Sequence, residues 1–146
     1  ERVVTNGMSQ YSRNERNANA GIVVGIEPAD YAEYDNSGSP LAGVALQRHF
    51  ESLAYELGGR TYDAPGQLVG DFIANRASTA FGEVQPSYKP GVHLTNLDSA
   101  LPRYAIDAIR EALPAFGKQI KGFDRADAVL TGVETRTSSP VRITPL

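Results

Sequence analysis

The sequence contains no cysteine among its 146 residues. That excludes a disulfide scaffold, a thiol nucleophile, and zinc or iron–sulfur centres held by thiolates. It agrees with a cytoplasmic location. A surplus of basic charge is also missing: 14 Lys and Arg stand against 17 Asp and Glu, for a formal net charge of −3. Binding to a phosphate backbone needs a basic surface that releases counterions, so nucleic acid is not an expected partner. Long apolar runs are missing too. The longest, Ala20–Ile26, falls far short of the ~18 residues of a membrane-spanning helix. No basic stretch leads into an apolar one near Glu1, as it would in a signal peptide. No membrane partner is expected.

Several catalytic signatures are absent as well. There is no G-x-G-x-x-G or G-x-x-x-x-G-K-[ST] phosphate loop, and no G-x-S-x-G nucleophile elbow. The two histidines, His49 and His93, do not fall in an H-x-x-x-H or H-E-x-x-H spacing, so no metal site is expected. His49 sits beside the apolar Phe50 in a helical stretch and reads as a flank residue. His93 follows Pro90-Gly91-Val92 in a loop, a better place for an acid–base group, but no orienting carboxylate lies near it in sequence.

What is present is the composition of a globular domain, 41% hydrophobic, at a length that suits one domain. Residues 1–146 read as a single domain. The chain opens at Glu1 without a Met, already inside a strand-like run, and stops just after another. The expectation is a domain cut from a longer protein; a processed mature chain is the alternative.

Arg2–Met8 and Gly21–Ile26 are β-rich runs, expected to pair as strands across the polar loop Ser9–Asn19. A loop of that length is either functional, closing over a ligand, or simply a surface loop. Glu27-Pro28 ends the second run, and Ala29–Gly38 reads as an irregular turn. Ser39-Pro40 resembles a helix start, with Ser as N-cap and Pro in the first turn. Leu46, Phe50, Leu53 and Leu57 then lie on one helical face, and Gly58-Gly59 closes the helix. Thr61–Gly66 reads as a turn-rich link, Gln67–Asn75 as a short helix, and Arg76–Leu97 as a long irregular stretch. A second long helix is expected from Ser99, broken at Pro114. Asp127–Thr135 and Val141–Ile143 are strand candidates. The order predicts an α+β fold: a mixed or antiparallel sheet built from strands near both chain ends, with two main helices on one face.

The most suggestive polar cluster is the run Glu134–Arg142. It places Glu134, Arg136, Thr137, Ser138, Ser139 and Arg142 between apolar flanks at Val129, Leu130, Val133, Val141 and Ile143. Guanidinium groups can hold a planar anion by two parallel bonds, and the hydroxyls can bond carbonyls or ring heteroatoms. An exposed polar turn has the same composition. No catalytic residue is assigned.

Several stretches match a known family. They include Val3–Ser9, Asn17–Ala20, Pro40–Val44, Gln67–Phe72, Gly82–Gly91, Ala112–Lys118 and, longest, Leu130–Arg142. They run in order over nearly the whole chain. On these residues the chain resembles a domain from the C-terminal half of a bacterial family of uncharacterised FAD-dependent dehydrogenases. The resemblance implies that the complete protein has a Rossmann-type FAD-binding domain, interrupted by this domain as an insertion on the substrate side. FAD is then expected in the full-length parent and not on this fragment alone. The same-chain FAD domain and an unknown small-molecule substrate are the implied partners. Glu134, Arg136, Thr137, Ser138, Ser139 and Arg142 would face the flavin or substrate. Arg136 and Arg142 would hold an anion. Glu134 would act as a base or pair with an Arg. The alternative is a non-catalytic protein-binding or dimerisation module, because no complete catalytic set is visible.

Overall fold

Residues 1–136 are described by a computed structural model. The fold is α+β, with three strands and two main helices among these residues. In chain order the elements are α1 (Gly43–Leu57), β1 (Ala64–Leu68), α2 (Val69–Ile73), β2 (Val92–Leu94), α3 (Arg103–Gln119) and β3 (Val129–Thr131). The sheet is mixed and has the order β2-β1-β3. β1 runs parallel to β2, with Ala64 opposite Val92 and Gly66 opposite Leu94. It runs antiparallel to β3, with Gly66 opposite Thr131 and Leu68 opposite Val129.

The central strand is the element the sequence concealed. Ala64-Pro65-Gly66 carries turn-type residues, and Pro and Gly are ordinarily poor in a central strand. Here small size is what the position requires. A Cβ on Gly66 would run into the Val92 side chain and approach the Leu130 carbonyl oxygen to 3.2 Å. Pro65 contributes no donor, but its carbonyl accepts from the Gly132 amide at 2.9 Å. The strand is buried along Ala64–Gln67.

Gln67 lies in the middle of this layer with no solvent exposure. Its Nε2 donates to the Arg76 carbonyl at 2.7 Å, and its Oε1 accepts from the Leu97 amide at 2.8 Å. Ser78 makes a similar tie: its hydroxyl accepts from the Leu68 amide at 2.9 Å and donates to Asp71 at 2.6 Å. The irregular stretch after α2 is thereby fastened to β1 by polar groups whose buried atoms are all paired.

The helices follow their apolar stripes. Leu46, Phe50 and Ala54 of α1 are buried, and α1 packs on β1. Ala105, Ile106, Ile109 and Leu113 of α3 are buried, and α3 packs on α2. Arg110 joins these two: it lies 5.0 Å over the Phe72 ring and donates to the Phe72 carbonyl at 3.0 Å. Both helix starts differ from the sequence expectation. Ser39 caps only a turn, accepting from the Leu41 amide at 3.1 Å, and α1 begins at Gly43. α3 begins after Pro102, and Pro114 sits inside it without ending it. Pro114 lacks an amide donor, and it follows directly on Leu113, the last buried residue of α3.

The expected strands Arg2–Met8 and Gly21–Ile26 are not strands among the described residues. Val3 donates to the Glu51 carbonyl at 2.9 Å and Thr5 to the Val133 carbonyl at 2.8 Å. These bonds reach two different parts of the fold, so no ladder with a single partner strand can form. The sheet comes instead from the chain's middle and from β3. The expected strand Asp127–Thr135 is β3, shortened, and the expected short helix Gln67–Asn75 is α2, with Gln67 and Leu68 belonging to β1. Pro28–Tyr31 forms one 3-10 turn. Val141–Ile143 lies outside the described residues.

Candidate functional site

A groove of about 1080 Å³ lies between the N-terminal arm (residues 1–27) and the layer formed by α2, α3 and β3. Its apolar wall includes Leu101, Phe123 and Leu130, which pack partly exposed against the buried core. Its polar rim is built by two irregular segments. From the arm come Asn6, Arg16, Asn17 and Asn19; from the stretch before β2 come Ser87, Tyr88 and Lys89. These segments are tied together. The Arg16 guanidinium donates to the Glu83 carbonyl at 2.8 Å, and the Asn17 carboxamide to the Gln85 carbonyl at 2.6 Å. Asn19 donates to the Met8 carbonyl at 2.9 Å, closing the arm's own loop. The long loop Ser9–Asn19 therefore forms a wall of the groove.

Glu134 lines this groove and is exposed. Among the described residues it makes no ion pair. Arg136, two positions on, turns to a different partner, Glu51 of α1. Its Nε and one terminal nitrogen each donate to the Glu51 carboxylate at 2.9 Å. The Thr135 hydroxyl donates to the same carboxylate at 2.8 Å, and the Gln47 carboxamide donates to the Thr135 carbonyl at 2.7 Å. Glu51 is 1% exposed, whereas the Arg136 side chain is 62% exposed. The guanidinium beside Glu51 holds its carboxyl below the usual carboxylate range, against the opposing effect of burial, and the Thr135 hydroxyl adds to the lowering. The Arg136 pKa is raised by the same contact. This fork fastens the segment after β3 to α1.

Of the six sequence candidates, Glu134 reaches the groove and Arg136 forms the clamp on α1. Thr137, Ser138, Ser139 and Arg142 lie outside the described residues. Glu51 and Gln47 were missed. Their signal was present: both interrupt the apolar stripe of α1 next to Phe50 and Leu46, where a polar residue needs a buried partner. His49 is exposed and packs its ring on Tyr34 and Phe50 at 5.1 and 4.9 Å between centroids. His93 lies on β2, with its ring against Gly59. Neither histidine lines the groove. A second, smaller depression of about 660 Å³ between the 3-10 turn and the start of α3 is lined by Asp30, Glu33, Arg103 and Asp107, of which Arg103 and Asp107 pair with each other.

A family model described as "FAD-dependent protein, C-terminal domain-like" matches residues 1–137. The chain belongs to this family. It is also 51% identical, over 142 residues, to an uncharacterised protein of Clostridium beijerinckii (strain ATCC 51743 / NCIMB 8052). That match covers 97% of this chain and 26% of the relative, so the chain spans about a quarter of the relative's length.

The described residues of this FAD-dependent-family domain can be tested against the cofactor. A dinucleotide needs a strand, a glycine turn and a helix N-terminus open to its pyrophosphate. β1 passes directly into the five-residue α2. The glycines at this joint are occupied by the protein itself. Gly66 faces Val92 and Leu130, and a Cβ on Gly70 would lie 3.0 Å from that of Ala126. No pyrophosphate cradle is available there. The groove, by contrast, offers an apolar wall and a carboxamide rim, which suits a ring face or a small organic molecule.

Proposed function

We propose that this domain is the substrate-side cap of a larger FAD-dependent oxidoreductase of the dehydrogenase type, with the groove as its contribution to the pocket that faces the flavin. The observation that carries this reading is the groove itself: an apolar wall, an amide-bearing rim and one exposed carboxylate, Glu134, within a domain of an FAD-dependent family. The pyrophosphate half of FAD is assigned to a Rossmann-type domain of the same parent chain, as the family resemblance implies, and the filled joint of β1 and α2 agrees with this. The redox chemistry belongs to the flavin. The share of these residues is to bind and orient a small-molecule substrate and to exclude water. Glu134 offers a proton acceptor to a bound molecule. Arg136 pairs with Glu51, and Thr137, Ser138, Ser139 and Arg142, which lie outside the described residues, are proposed to supply hydroxyl and guanidinium donors. The isolated domain is expected to bind no FAD and to turn over no substrate.

The test is made on the full-length parent protein. Bound flavin is expected in its absorption spectrum, and Glu134→Gln is expected to slow flavin reduction or reoxidation while leaving the flavin bound. A colourless parent that cannot be reconstituted with FAD refutes the reading. An unaltered rate in Glu134→Gln removes that residue from the pocket.

A further inference from the structure

The N-terminal arm is apolar on two sides, and the described residues cover one of them. In the first run, Val3 and Thr5 are buried while Val4 between them is exposed. In the second, Ile22 and Val24 pack against the core, whereas Val23 is 85% exposed and Ile26 44%. Neighbouring side chains that point to opposite sides are the geometry of an extended chain. Ile22, Val24 and Ile26 share the inner side of such a chain, and Val23, between Gly21 and Gly25, stands exposed on the other. The backbone gives a second, independent indication. Among the described residues, no amide or carbonyl of Gly21–Ile26 has a hydrogen-bond partner. The segment also carries no charge and no proline, the usual devices that protect a bare strand edge.

We propose that Gly21–Ile26 is a β-strand of the complete protein, paired edge to edge with an extended segment from the part of the parent chain outside these residues, which also covers Val23. The occupant follows from length. The chain spans 26% of its relative, so a parent of similar length keeps most of its polypeptide tethered to this domain. Tethering gives such a segment an effective concentration that a second molecule does not match. The paired strand stiffens the arm, whose Ile22 and Val23 both line the groove. The inference rests on the family membership and not on the presence of flavin.

Two measurements on the full-length parent test it. In hydrogen exchange, the amides of Val23, Val24 and Ile26 are expected to exchange at least about tenfold more slowly than those of the neighbouring loop at Ser12–Asn14. With a benzophenone amino acid in place of Val23, irradiation is expected to give crosslinks within one polypeptide, to residues outside these 146. Exchange as fast as the loop overturns the proposal. So do crosslinks that join two copies, or that reach only residues of this domain. Neither readout uses the flavin. A parent that lacks FAD yet shows both results refutes the cap reading and leaves the strand pairing intact.

Discussion

Glu51→Gln isolates the clamp that holds the chain after β3. The Glu51 carboxylate is 1% exposed and accepts three hydrogen bonds, one from Thr135 and two from Arg136. Glutamine keeps the shape but removes the charge, and it turns one acceptor into an NH₂ that faces a donor. A hydrogen bond to a charged group contributes ~1.5–3 kcal/mol. The Arg136 side chain is 62% exposed, so solvent screens its share, and about 2 kcal/mol is the expected total loss. For a chain of this size that corresponds to a fall of roughly 4–8 °C in the midpoint of thermal unfolding. The pH dependence has a definite sign. Folding lowers the Glu51 pKa below its ordinary value of 4.5. The clamp therefore contributes fully above that value and loses its contribution as pH falls through the depressed folded-state value. Thermal unfolding followed by circular dichroism from pH 7 down to pH 3, on the wild-type chain and on Glu51→Gln, reads both effects; the two curves are expected to converge in acid. A double-mutant cycle with Arg136→Ala gives the coupling directly. A shift of less than about 1 °C at pH 7, or a cycle with no coupling, would refute the account of Glu51 and Arg136 as a clamp.

Gln67→Leu is expected to destabilise the domain by about 2–4 kcal/mol, read by urea denaturation, because it leaves the Leu97 amide and the Arg76 carbonyl without their partner. A neutral result would show that the stretch after α2 is not held by Gln67. Ser78→Ala is expected to cost about 1–2 kcal/mol through loss of the bridge between Leu68 and Asp71. Asp71 is held below the ordinary carboxylate range first by Ser78 and then by Arg76. Its titration in Ser78→Ala, followed by carboxylate NMR, is therefore expected to move up. Gly58→Ala places a Cβ onto the Asp63 carbonyl. A loss of about 1–3 kcal/mol is expected in the same denaturation assay, and wild-type stability would show that the turn after α1 yields easily.

The two long helices were legible because each buries a periodic stripe against one neighbour. Leu46 and Phe50, and likewise Ile106, Ile109 and Leu113, announce a face wherever the rest of the chain goes. Their starts were less legible. Ser39 and Ser99 have the right chemistry for caps, but the backbone turns before each helix begins. β1 was hidden because its residues were chosen for close approach to β2 and β3 and not for intrinsic strand preference. The two apolar runs of the arm were read as strands from their composition. Their alternation is visible in the structure, but neither pairs as a strand among the described residues. In the candidate site, Glu134 could be named from sequence because it stands in a polar run beside a strand. Its neighbour Arg136 could be named too, but not its partner, since Glu51 lies 85 positions away.

The absence of cysteine, the lack of basic excess and the short apolar runs depend on composition alone and determined the chemistries ruled out, and the helical stripes located the two long helices. Local pattern carries that information because periodic burial is a property of one element. Which strands meet, which carboxylate takes Arg136, and where the groove opens were decided only by the tertiary structure. These are relations between segments far apart in sequence, and only packing and hydrogen-bond pairing in three dimensions select one partner over another.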